Sequence, residues 1–157
     1  MSRHLPPNIP IDKVENIYLD ELNKISDTLI GKINIFIKTV PQESVESAEF
    51  QVFPDEDCEG ESSIWMYFDG KNKKIDRNDE SLFAGKSVEF FTEFASLPTL
   101  DLDQYEELDY ADMLVDLIVR WFAECWWKAG GWYYPVHVEI LGHDGFGSVD
   151  KIELTEI

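Results

Sequence analysis

The segment from Asp109 to Ala129 constrains the fold more than any other part of the chain. Its apolar residues recur at steps of three and four and so mark one face of a long α-helix. The expected buried face comprises Leu114, Leu117, Ile118, Trp121, Cys125 and Ala129. The pair Gly130-Gly131 then predicts the end of the helix. Such an amphipathic helix needs an apolar surface to pack against, which the rest of the chain must supply.

The N-terminal segment predicts a second helix. From Asp12 onward the apolar residues again share one helical face, namely Val14, Tyr18, Leu22, Ile25, Leu29, Ile33 and Phe36. The later part of this segment is ambiguous, because Gly31 interrupts it and the isoleucines of Lys32–Val40 alternate as in a strand. We expect a strand over Lys32–Val40, with a continued helix as the alternative.

The middle of the chain predicts β-structure. Ala48–Phe53 and Ser62–Phe68 have strand patterns, and Asp69-Gly70 predicts a two-residue hairpin into an edge strand over Lys71–Asp76. The strand over Ser62–Phe68 is apolar on both alternating faces. It is therefore expected to be central and either covered on both sides or exposing two aromatic side chains, Trp65 and Tyr67.

The remaining segments complete a mixed pattern. Ser81–Leu97 is predicted to be helical, and Pro98–Asp103 to be a linker. A C-terminal hairpin is expected in which Val136, Val138 and Ile140 alternate with His137 and Glu139, and in which Ile152 and Leu154 point inward after a loop over Gly142–Gly147. Helices and strands do not alternate regularly. The sequence therefore predicts one α+β domain over residues 1–157, with an antiparallel sheet and helices packed on one face.

The charge of the chain limits its partners. The 157 residues include 32 Asp and Glu against 13 Lys and Arg, a net charge of −19, yet 44% of them are hydrophobic. An acidic disordered tail would be poorer in apolar residues, so this chain is expected to fold. Its negative field repels nucleic-acid phosphates and anionic lipid, so we expect neither nucleic acid nor membrane as a partner. A basic protein is the expected partner.

The cysteines indicate the compartment. Cys58 and Cys125 form neither a disulfide framework nor a zinc-ligand pattern, so both are expected to be reduced. Met1–Pro10 has no apolar core of signal-peptide length, and no stretch approaches the roughly 18 apolar residues of a membrane span. We therefore expect a cytoplasmic protein. Cys125 lies in an aromatic run, where burial should raise the pKa of its thiol and leave it inert.

Two acidic blocks are the candidate partner-binding surface. Pro41–Glu61 holds eight acids and no base, and Ser87–Val119 holds nine acids and no base. Carboxylates interleaved with tyrosines suit a basic protein surface, whereas a solvated acidic face that keeps the protein soluble is the alternative. The proposed interface residues are Asp101, Asp103, Tyr105, Glu106, Glu107, Asp109, Tyr110 and Asp112, with Asp55, Glu56, Asp57, Glu59 and Glu61 as a second edge. The acid spacing does not match a calcium-binding EF-hand loop.

A second hypothesis is a small metal-assisted enzyme. Its site would comprise His137, Glu139, His143 and Asp144, since histidine and carboxylate together serve hydrolytic metal centres. A catalytic zinc normally has three protein ligands, and no HExxH pair occurs, so a plain turn at residues 142–145 is the favoured interpretation. We therefore predict no metal, no cofactor and no catalytic residue. A structural adaptor subunit is a third hypothesis.

The aromatic run from Trp121 to Tyr134 is unusually dense. Core packing explains most of it, but Trp126 and Trp127 point about 100° apart on a helix. Both cannot face one core equally, so one of them could line a groove or a partner surface.

A small acidic α+β domain with a Trp-rich C-terminal helix, a Gly-Gly stop and a closing hairpin resembles the immunity proteins of bacterial toxin systems, including contact-dependent inhibition. The resemblance covers size and composition along the whole chain. It implies tight, stoichiometric inhibition of a toxin domain, often a basic nuclease, in the cell that makes the toxin. Carboxylates placed where nucleic-acid phosphates would lie could achieve such inhibition.

Overall fold

The computed structural model describes residues 4–5, 9–53, 62–96, 110–145, 147 and 151–157. Its α-helices are α1 (Ile11–Lys24), α2 (Ser26–Phe36) and α3 (Tyr110–Lys128). Its strands are β1 (His4–Leu5), β2 (Ile9–Pro10), β3 (Val45–Phe53), β4 (Ser63–Gly70), β5 (Ser87–Phe91), β6 (His137–Gly142) and β7 (Ile152–Glu153). None of the helices in these ranges is both long and apolar enough to cross a membrane.

Five strands form one sheet in the order β5-β4-β3-β6-β7, and β1 pairs separately with β2. Within the five-stranded sheet, β3–β4, β4–β5 and β6–β7 are antiparallel, whereas β3–β6 is parallel. The α+β class is confirmed. The parallel pair was not expected, and it places the C-terminal hairpin beside the first strand of the sheet.

The helices pack on one face of this sheet, called the inner face. Phe50 of β3 lies at its centre, with its ring centroid 4.6 Å from that of Phe122 and 5.5 Å from that of Trp126 in α3. The expected buried side of α3 is confirmed. Leu114, Ile118, Trp121, Cys125 and Ala129 are buried, and Leu117 is partly buried against them. This dense aromatic packing anchors α3 across β3.

The expected strand over Lys32–Val40 is wrong, because α2 continues to Phe36. On a helix, Leu29 and Ile33 point to the same side and are both fully buried, whereas Ile35 is 73% exposed. Burial of one helical face thus outweighs the strand preference of the isoleucines. The predicted N-terminal helix is divided at Ile25, which has a non-helical φ of −107°.

The predicted hairpin at Asp69-Gly70 is also wrong. Both residues belong to β4, where Asp69 pairs with Ser47 and Gly70 with Val45, and Lys71–Asp76 is not a strand. A Cβ on Gly70 would lie 1.9 Å from the main-chain oxygen of Ser44, so this glycine permits the close approach of two main chains. The antiparallel neighbours of β4 are β3 and β5 instead.

The predicted helix over Ser81–Leu97 is wrong for the described residues, because Ser87–Phe91 forms the strand β5 and Glu93–Ser96 a short 3-10 turn. A bulge in the β4–β5 pairing lies between Ile64 and Trp65. Phe90 is the extra residue of this bulge, because Phe91 pairs with Ile64 and Glu89 pairs with Trp65. The bulge lets Phe90 and Phe91 both reach the core, which a regular strand would not allow. Two consecutive buried aromatics imitate a helical pattern in the sequence.

The predicted end of the long helix and the predicted C-terminal hairpin are confirmed. The helix α3 ends before Gly130, whose φ of 91° is left-handed. The strands β6 and β7 form an antiparallel hairpin, and His143–Gly145 is a turn in which Asp144 adopts a left-handed φ of 50°. Asp tolerates this conformation better than most residues.

Candidate functional site

The face of the sheet turned away from the helices, called the outer face, carries partly exposed polar and aromatic side chains. Over residues 48–53 of β3 and 63–68 of β4 every second residue is buried on the inner face, and the residues between them are half-buried. The outer face of β3 presents Ser47, Glu49, Gln51 and Phe53. That of β4 presents Ser63, Trp65, Tyr67 and Asp69. The outer face is therefore the accessible surface of the sheet.

Three glutamates lie side by side across this face, and they are called the carboxylate row. Glu49 of β3 pairs in register with Glu139 of β6, which pairs in turn with Glu153 of β7. Paired residues of neighbouring strands have Cβ atoms about 5 Å apart, so this arrangement brings like charges together and opposes folding. The row therefore places three carboxylates in adjacent register positions on one surface of the sheet.

Glu139 has a lysine and a histidine as neighbours. The Lys151 Nζ lies 3.2 Å from the Glu139 Oε2, and the His137 Nε2 lies 3.4 Å from the same oxygen. The His137 Nδ1–H donates to the main-chain oxygen of Ile157 at 2.6 Å. That hydrogen bond, with a further contribution from Glu139, raises the pKa of His137 above its ordinary 6.5.

Glu49 has no such cation. Its Oε1 accepts a hydrogen bond of 3.1 Å from the Gln51 Nε2, and no lysine, arginine or histidine among the described residues forms an ion pair with it. Directly opposite on β4, burial and then the Glu49 charge raise the pKa of Tyr67. Glu49 is thus a half-buried carboxylate with a neutral hydrogen-bond donor beside it.

The aromatic and amide groups around Glu49 are held in place by one another. The Oε1 of Gln51 accepts a hydrogen bond of 2.8 Å from the His143 Nδ1–H. The His143 ring stacks on Phe53, with centroids 4.0 Å apart and planes inclined by 24°. Trp65 pairs in register with Gln51 on the other side. The outer face therefore combines carboxylates, an oriented amide and aromatic rings.

Most of the acidic residues predicted from the sequence lie outside the described ranges. This holds for Asp55, Glu56, Asp57, Glu59 and Glu61, and for Asp101, Asp103, Tyr105, Glu106, Glu107 and Asp109. Tyr110 begins α3, and its side chain is likewise outside the description. The Oδ1 of Asp112 accepts a hydrogen bond of 2.7 Å from the Gly147 main-chain N–H, so this carboxylate supports the loop after β6.

The four residues of the enzymatic hypothesis form two pairs. His137 lies beside Glu139, as predicted, whereas the His143 Nε2 lies 3.2 Å from the Asp144 Oδ2. In the part of the chain that the structure describes, no three His, Cys, Asp or Glu side chains are grouped as a metal site requires. The metal-assisted enzyme therefore stays an alternative hypothesis, and the absence of a metal stays a prediction.

Trp126 and Trp127 differ in exposure, as expected. Trp126 is fully buried, and Trp127 is 41% exposed with its ring centroid 6.5 Å from that of the exposed Trp132. Cys125 is buried, and burial is the main cause that raises the pKa of its thiol to about 11. The expected shift of this thiol pKa is confirmed.

Glu49 and Glu153 belong to the site although the sequence did not predict them as members of one. Both stand at polar positions of strands with alternating patterns, so their outward direction could have been read from the sequence. Their adjacency depends on the parallel β3–β6 pair, which no local pattern reveals. Trp65 and Tyr67 were identified as exposure candidates but not placed beside a carboxylate.

The fold and the site define an α+β protein with one helix-covered sheet face and one acidic, aromatic face. The chain belongs to the family of unknown function DUF6389, whose model matches residues 13–156. This range includes the five-stranded sheet and every member of the carboxylate row. No curated protein and no solved structure matches the chain at a significant level.

Proposed function

We propose that this protein is an acidic binding protein that captures a basic protein on the outer face of its sheet. In the most specific form of the proposal it is an immunity-type inhibitor in the cytoplasm, and its partner is a nuclease-type toxin domain. The observation that carries the proposal is the carboxylate row beside Trp65 and Tyr67.

The energetics of the row support a cationic partner. Three carboxylates in neighbouring registers repel one another, and Lys151 and His137 offset this repulsion around Glu139 only in part. A cationic surface laid on the row would relieve the repulsion, so binding and stability would be coupled. The net charge of −19 would also speed the encounter by electrostatic steering.

The aromatic residues support a protein rather than a small ion as the partner. Tryptophan and tyrosine are the residues that most often dominate protein interfaces, because they bury much area with little loss of conformational entropy. Trp65 and Tyr67 are half-buried next to the carboxylates. An inhibitor of this kind would cover the lysines and arginines with which a nuclease holds phosphate.

A capture experiment with matched variants tests the proposal. The chain is immobilised at low salt as wild type, as a row variant with Glu49→Gln, Glu139→Gln and Glu153→Gln, and as a control with Glu43→Gln, Glu80→Gln and Glu124→Gln. The three control carboxylates are exposed and lie outside the outer face. Both variants change the net charge equally, so general attraction is the same.

We expect the wild type and the control to retain one basic protein in stoichiometric amount, and the row variant to lose it. The association rate of that protein with the row variant should fall at least about tenfold at low salt. The recovered protein is then assayed for nuclease activity with and without the wild-type chain. Retention of the partner by the row variant would refute the outer face as the interface. An active partner that is not inhibited would refute the inhibitory role.

A further inference from the structure

We propose that Glu49, Gln51 and Trp65 form a site for an arginine side chain of the basic partner, and that this site selects guanidinium over the ammonium of lysine. The inference rests on the proposed function and names the chemistry that the outer face recognises. It concerns the centre of the sheet, since Glu49 and Gln51 belong to β3, the middle strand of five.

The members of the carboxylate row differ in the partners that their carboxylates have. Within the described structure, the Glu139 carboxylate contacts both Lys151 and His137. The Glu49 carboxylate instead accepts a hydrogen bond from the neutral Gln51 amide. A half-buried carboxylate interacts strongly with a cation that approaches it, because fewer water molecules screen the pair. Glu49 is therefore the member of the row at which we expect a cation of the partner to bind.

The Glu49 carboxylate and the Gln51 amide are oriented before a ligand binds. Gln51 donates to Glu49 and accepts from His143, and the His143 ring is stacked on Phe53. The Gln51 amide is thus fixed from both ends. It donates one hydrogen bond to the Glu49 Oε1, and the hydrogen bonds among the described residues leave Oε2 and a second acceptor position on Oε1 for a ligand. Groups that are already oriented lose little entropy on binding.

The aromatic residues on β4 favour an arginine side chain over a lysine side chain at this site. Trp65 pairs in register with Gln51, and Tyr67 pairs with Glu49, so both aromatic residues stand on the β4 side of the carboxylate. A guanidinium is planar, weakly hydrated, able to stack on such rings and able to donate two hydrogen bonds to one carboxylate. An ammonium is a compact and strongly hydrated charge, which gains less at a half-buried aromatic site.

The test uses oligoarginine and oligolysine peptides of equal length as probes of the full chain. Binding constants are measured by calorimetry, and the Trp65 indole N–H is followed by NMR after its assignment with Trp65→Phe. We expect oligoarginine to bind about tenfold more tightly than oligolysine and to shift the Trp65 resonance. Glu49→Gln should remove this preference, whereas the matched Glu124→Gln on α3 should keep it. Circular dichroism confirms that each variant is folded.

The results separate this inference from the proposed function. Equal affinities for the two peptides, or equal effects of Glu49→Gln and Glu124→Gln, would overturn the arginine site while leaving an acidic binding face. Absence of binding by either peptide to the wild-type chain would overturn both. A preference for oligoarginine that persists in Glu49→Gln would place arginine recognition elsewhere and likewise overturn the inference.

Discussion

The indole N–H groups of Trp126 and Trp127 donate to the same acceptor, the main-chain oxygen of Leu154, at 3.0 and 3.1 Å. One of these rings is fully buried and the other is 41% exposed. Adjacent residues of α3 thus fasten the segment after β7 from two sides, although they differ in what their rings contribute to the core.

This difference predicts unequal effects of the same substitution. Trp126→Phe should lower the free energy of unfolding by about 2–4 kcal/mol, because it removes a hydrogen bond and leaves a cavity. Trp127→Phe should lower it by about 1 kcal/mol, since Leu154 keeps one donor. Urea unfolding of both variants measures the difference. Equal losses would show that the exposed ring packs as tightly as the buried one.

Two glycines form a matched pair for a second prediction. A Cβ on Gly131 would lie 2.3 Å from the Trp126 ring, whereas one on Gly31 in α2 would meet no atom within 4 Å. Gly131→Ala should therefore destabilise by roughly 1–3 kcal/mol through overpacking. Gly31→Ala should stabilise by about 0.5–1 kcal/mol through helix propensity. Thermal unfolding checks both signs, and a stable Gly131→Ala would contradict the close contact.

Tyr134 gives a third prediction. Its side chain is buried beside Phe36 and Trp126, and within the described residues its hydroxyl has no hydrogen-bond partner. Burial raises the pKa of this phenol well above its ordinary value. Tyr134→Phe should leave stability unchanged or raise it by up to about 1 kcal/mol, because no hydrogen bond is lost. A clear loss of stability in chemical denaturation would show that the hydroxyl has a partner.

A fourth prediction concerns pH. The pKa of His137 is raised in the folded chain by its hydrogen bond to Ile157 and by Glu139. A group with a raised folded pKa contributes stability that is fully present below its unfolded value of about 6.5 and is lost as pH rises through the higher folded value. Wild-type stability relative to His137→Gln should therefore decline above about pH 6.5.

The measurement for His137 is urea unfolding at several pH values on both proteins, with the His137 imidazole titrated by NMR. A constant stability difference between wild type and His137→Gln across this range would contradict the prediction. Stability that increases with pH in the wild type alone would reverse the sign and refute the raised pKa.

The sequence identifies those elements whose local pattern and tertiary burial agree. The spacing of the apolar residues made α3 predictable, and the residues of its predicted face are buried or, at Leu117, partly buried. The true core face is wider than predicted, because Phe122 and Trp126 are fully buried as well.

The strand predicted after Gly31 was wrong. The β-branched isoleucines favour a strand locally, but burial of Ile33 in the core stabilises the helix. The helix predicted around Phe90 and Phe91 was wrong because a bulge interrupts the alternation of buried and exposed residues in this strand.

The candidate site was less predictable than the fold. Outward directions of Glu49, Glu139 and Glu153 follow from strand alternation, and so does the pairing of His137 with Glu139. The register that aligns the three glutamates depends on contacts between distant segments, and a shift by one residue would turn Glu49 to the core. Local sequence carries no record of such a register.

The parallel pairing of β3 with β6 also determines when the outer face can exist. These strands come from opposite parts of the chain, so β6 is synthesised long after β3 and must then find it across the sheet. A nascent chain that ends before His137 would display Glu49 without its neighbours in the row. A partner that recognises the assembled row would accordingly associate only with molecules in which β6 and β7 have joined the sheet.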